Sequence, residues 1–114
     1  MQRIVRDLGS TVGVVLATGQ TFLSGLIVTN TVASLRYVKL YDSLAAPTEA
    51  LTPVATIPIN ANQTVVISNG ASGAATSGVT FMNGLGLRVT TDLADNSTLV
   101  QTAGDVIVNA LVEA

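Results

Sequence analysis

The chain has 114 residues, a length that fits one domain, and carries five basic and seven acidic side chains with no histidine and no cysteine. These absences remove the usual proton shuttle, the soft nucleophile, the common zinc ligands and any disulfide framework, and they point away from an enzyme and from a cofactor or metal protein. Charged residues make up 11% of the chain, against an ordinary share of about 25%, and Arg3, Arg6, Arg36, Lys39 and Arg88 are scattered, so no nucleic-acid partner is expected.

Residues 1–11 (MQRIVRDLGST) read as an N-terminal arm that orders on a neighbouring molecule, ahead of a β-domain over 12–114. Val12–Ala17 (VGVVLA) follows. It is too short for a secretory core and Asp7 precedes it, so no leader is expected. Phe22–Thr31 reads as a strand with a bulge at Gly25. Leu35–Asp42 (LRYVKLYD) alternates, which predicts Val38 and Leu40 inward, with Tyr37 and Tyr41 partly exposed at a contact.

Residues 43–52 form a loop around Pro47. Val54–Ile59 contains Pro58, which has no N–H for a ladder and marks an edge strand. Asn60-Ala61-Asn62 then turns the chain into Gln63–Ser68, so TIPINANQTVVIS reads as a hairpin. Residues 69–78 (NGASGAATSG) read as a flexible loop. Val79–Met82, then Leu85–Thr91 with Leu85, Leu87 and Val89 facing the core, come next. A polar loop over 92–104 leads to Asp105–Val112, whose core face is Val106, Val108, Ala110 and Val112. Roughly eight short strands at this spacing predict an all-β, antiparallel two-sheet sandwich, jelly-roll-like in arrangement.

Chemistry-bearing groupings are sparse. Asp92 and Asp95 are the one close acidic pair, in a turn-like TTDLADNST stretch without the shaped cleft that two-carboxylate catalysis needs. Asp92, Asp95, Asn96 and Ser97 offer oxygen ligands for Ca²⁺ at a spacing that fits no twelve-residue calcium loop, and an Asx-type turn explains them as well. The glycines of 69–78 lack the Gly-Lys-Ser/Thr ending of a phosphate cradle. No apolar run approaches the roughly 18 residues of a membrane span, so no membrane partner is expected. High apolar content with few charges instead suggests surface covered by other protein.

Three separated segments carry a family resemblance: RYVKLYDSLAAPTEALTPVATIPINANQTVVI, GVTFMNGLGLRVTTDLADNST and AGDVIVNALV. Together they resemble small virion structural proteins of tailed bacteriophages. The resemblance spans about residues 36–112 and implies a β-sandwich subunit of the particle, a capsid cement or decoration protein located in the virion. Its implied partners are the major capsid protein and further copies of itself, as a dimer or trimer. Contact residues expected on this reading are Arg3, Ile4, Val5 and Arg6 in the arm and Tyr37 and Tyr41 on the strand, since arginine and tyrosine are enriched at interface hot spots. The alternative is a receptor- or carbohydrate-binding module of a tail fibre or adhesin, using the loops at 60–62, 69–78 and 92–98.

Overall fold

The computed structural model describes residues 2–68 and 79–113. In chain order its strands are β1 (Gln2–Asp7), β2 (Val14–Thr18), β3 (Thr21–Asn30), β4 (Arg36–Asp42), β5 (Ala55–Ile59), β6 (Thr64–Ser68), β7 (Val79–Phe81), β8 (Gly84–Thr90) and β9 (Val106–Glu113), with no helix among the described residues. They form two antiparallel sheets packed as a sandwich. Sheet A has the order β1-β9-β3-β6, and β7 pairs with β3 as well. Sheet B has the order β2-β8-β4-β5. The glycine-rich loop expected over 69–78 lies outside the described residues.

Alternation along the strands supplies the core between the sheets. Sheet B contributes Val38, Leu40, Leu85, Leu87 and Val89, and sheet A contributes Leu23, Leu26, Val28, Val106, Val108, Ala110 and Val112, all buried. In β3 the register against β9 shifts between Leu23 and Gly25, the bulge expected at Gly25, and this lets Leu23 and Leu26 both face inward. Pro58 lies in β5, the edge strand of sheet B, where a missing N–H costs no ladder bond.

Residues 2–7 are not a loose arm. They form β1, paired along its whole length with β9 from Gln2↔Glu113 to Asp7↔Val108. Two interactions fix the strand: Val5 packs against the core, and the Asp7 carboxylate accepts from the Gly9 and Ser10 N–H groups at 3.2 and 3.0 Å and from the Ser10 hydroxyl. The expected hairpin over 56–68 is also corrected, because β5 belongs to sheet B and β6 to sheet A. The buried Asn30 side chain explains the corner. Its amide donates to the carbonyls of Ser34 (2.8 Å), Ile59 (3.1 Å) and Asn60 (3.2 Å), while its own backbone N–H donates to Gln63 O at 2.8 Å. The backbone leaving β5 is therefore tied to the end of β3 and carried across to the other sheet.

The outward face of sheet B is sheathed. Pro47 packs on Gly86 and Gly13, and a Cβ built on Gly13 would lie 1.9 Å from the Pro47 carbonyl oxygen, so glycine there admits the loop. Residues 91–105 cover the rest, and every residue of β8 is buried as a result. Gln101 anchors this cover, donating to Ser10 O at 2.7 Å and accepting from Val106 N–H at 3.0 Å. At its far end Gly104 N–H donates to Gly9 O at 3.1 Å. Gly9 has φ +90°, and a Cβ there would meet the Gly104 backbone at 2.4 Å.

Candidate interaction surface

The two outward faces differ. That of sheet B is closed by loops held through two buried cations. Lys39 and Arg88 are paired residues on β4 and β8, both buried. Like charges so placed repel. Loop carbonyls solvate both: Lys39 Nζ donates to Ala94 O, and Arg88 Nη2 donates to Ser97 O at 2.6 Å and Nη1 to the Tyr41 hydroxyl at 3.3 Å. Burial, and next the Arg88 charge, push the Lys39 amine below the ordinary lysine value, against an opposing pull from Asp92 and Asp95.

Those two acids therefore answer a lysine. The Ser97 hydroxyl accepts from Leu99 N–H at 3.1 Å, and no cluster of three or more metal-ligating side chains occurs among the described residues. The 92–98 stretch is thus a cover stapled by its own carbonyls and turns. Asp42, at the end of β4, binds the turn between β7 and β8. Its carboxylate accepts from Asn83 N–H at 2.7 Å and Met82 N–H at 3.0 Å, and the Asn83 bond above all holds its pKa below the usual carboxylate value.

Among the described residues, no loop sheathes the outward face of sheet A. Its register aligns Ile4 with Leu111, and Ile27 with Val66 and Asn109. None of these side chains is buried; Ile4 is 66% exposed and Val66 67%. Phe22 and Ile107 extend the strip, and its charges are Arg6 and Glu113. Asn109, Thr29 and Thr64 share this face, so it is a mixed apolar and polar surface of the kind that partner proteins cover.

Beside it the sandwich has four kinds of edge. β2 is broken by a register shift between Val15 and Ala17, β5 carries Pro58, and β7 has only three residues. Those are the features that blunt an edge. β1 and β6 carry neither proline nor bulge. An apolar cleft of about 230 Å³ opens between β5 and the β6–β7 edge, lined by Leu23, Leu26, Leu40, Ile57, Ile67 and Phe81.

The expected contact residues divide accordingly. Arg3, Ile4 and Arg6 are exposed on β1, with Val5 half-buried on its inner side. Tyr37 is half-buried in sheet B. Tyr41 is 1% exposed beneath the cover and bonded to Arg88, so its expected partial exposure is corrected. The tyrosines and the β1 residues thus lie in different sheets. Sequence reasoning missed Val66, Ile27, Ile107 and Leu111. Their signal was present: β3, β6 and β9 carry apolar residues at both parities, as strands covered on both sides do. Comparison with protein-family models, characterised proteins and solved structures gives no match.

Proposed function

We propose that the chain is a virion structural protein of a bacteriophage, a capsid cement that bridges neighbouring major capsid subunits by non-covalent contacts and associates with copies of itself. The observation that carries this reading is the contrast between the sheets: among the described residues one outward face is sheathed by loops, and the other is open and carries Ile4, Phe22, Ile27, Val66, Ile107 and Leu111 between polar side chains. Such a face holds a partner by shape and burial rather than by transforming it. A lattice repeats the contact many times, so modest affinity at each site suffices. The lack of histidine and cysteine and the resemblance of residues 36–112 to phage structural proteins support the same reading.

Fractionating particles from cells that encode the chain, followed by mass spectrometry of the capsid band, tests it. Many copies per capsid are expected, with loss of particle heat resistance when the chain is removed. A chain confined to soluble fractions overturns the reading, and reproducible binding to one glycan class on an array would favour the adhesin instead.

A further inference from the structure

We propose that β1 pairs antiparallel with β1 of a second copy about a two-fold axis at Val5, joining two copies of sheet A into one continuous sheet. The inference deepens the self-association in the capsid reading, and it is tested in solution without any capsid, so the two can fail separately.

Three observations carry it. First, β1 ends sheet A, and its six residues keep an uninterrupted register with β9, so its far side is a straight free edge. An edge of this kind is a template for another strand. Second, the pleat restricts the register. Across a two-fold axis normal to the sheet, opposed residues must lie on one face, so the axis passes at a residue rather than between two. Arg3, Val5 and Asp7 share the inner side with Val112, Ala110 and Val108, while Ile4 and Arg6 share the outer.

Third, charge selects among these registers. With the axis at Val5, Arg3 stands opposite Asp7 of the second copy, and the symmetry repeats this pair on the other side. With the axis at Ile4, Arg3 faces Val5 of the second copy and gains no opposite charge. Arg3 is exposed and has no ion-pair partner among the described residues. Asp7 is 6% exposed and already accepts three hydrogen bonds from Gly9 and Ser10; of the about four acceptor positions of a carboxylate, one is left for the guanidinium. The rival edge, β6 (TVVIS), bears no charge that would fix a register. On the outer side the Val5 axis sets Ile4 opposite Arg6 of the second copy, and it joins the outward faces of the two sheets into one surface.

The chain lacks cysteine, which makes the test direct. Directly opposed residues in an antiparallel pair have Cα atoms about 4.5–5.5 Å apart, within the range a disulfide spans. Sedimentation of the unmodified chain should give a dimer, twice 11.6 kDa. Oxidised Val5→Cys should cross-link to that dimer, whereas Val66→Cys should not. Arg3→Asp, a change at an exposed side chain that leaves the fold intact, should weaken the dimer by about tenfold or more, because both ion pairs become repulsive. A monomer at every concentration up to about 1 mM, a range in which even weak association registers, overturns the proposal. So does a dimer that cross-links through Val66→Cys or Ile4→Cys instead, or one that Arg3→Asp leaves unchanged.

Discussion

Lys39 and Arg88 face each other across neighbouring strands, and both are sealed beneath the loop that leaves β8. Neither has a carboxylate as its hydrogen-bond acceptor; carbonyl oxygens of Ala94 and Ser97 take that part. The polar side of sheet B is therefore a second interior, built from main-chain dipoles around two cations.

Burying the Lys39 charge opposes folding. A lysine whose folded pKa is lowered carries its full penalty below that value, and the penalty fades as pH rises through it toward the ordinary lysine value near 10.5. Stability from this group thus climbs on the alkaline side. Lys39→Met should flatten that climb and keep or raise the melting temperature at neutral pH, since it removes a buried cation that faces Arg88. Thermal melts of both proteins from pH 7 to about 10 check this, the upper limit being set by lysine titration. A large drop for the variant would refute it.

Asp42 acts at the other end of the scale. Its folded pKa is lowered by the Asn83 and Met82 N–H groups, so its contribution is complete above the ordinary carboxylate value and is lost as pH falls through the folded one. Asp42→Asn should cost stability at neutral pH and remove part of the loss seen below about pH 4. The measurement is the difference in melting temperature between the two proteins as a function of pH. A constant difference across that range would contradict the assignment.

Gly9 and Gly19 both have positive φ, +90° and +73°, but differ in surroundings. A Cβ at Gly9 would collide with the Gly104 backbone, whereas nothing lies within 4 Å of one at Gly19. Gly19→Ala should cost about 1 kcal/mol, the strain of a left-handed alanine. Gly9→Ala should cost more than about 2 kcal/mol, because the cover over sheet B must shift as well. Urea denaturation of the pair gives the comparison, and equal losses would show that the contact does not matter.

Ile4 and Val66 lie on the bare face with most of their surface open. Ile4→Asp and Val66→Asp should each change unfolding free energy by about 0.5 kcal/mol or less. On the capsid reading both should lose retention on purified particles. Full retention of both would remove the outward face of sheet A from the attachment.

Much of the fold was legible because period-two alternation reports which residues share a side. Val38 and Leu40, and Leu85, Leu87 and Val89, follow it into the core. Pro58 marked its edge and Gly25 its bulge. Alternation does not say what lies over a side. Arg88 and Lys39 look like solvent-facing positions until the loop at 91–105 is folded onto them, and that depends on Gln101 meeting Ser10 from a distant part of the chain. The sheet change after β5 was hidden for the same reason: one distant side chain, Asn30, decides it. At the candidate surface, Ile4 was read as a contact residue on a loose arm, because pairing with β9 cannot be seen from residues 1–11 alone.

The position of β9 between β1 and β3 also governs when this molecule can be made. A ribosome makes β1 and β3 long before it has translated Val106–Glu113; until then β3 can pair with β6 and β7, whereas β1 has no neighbour in sheet A. Docking of β1 into that layer has to await β9. The late strand then inserts between β3 and a β1 made about a hundred residues earlier, the slow kind of closure that distant pairings impose.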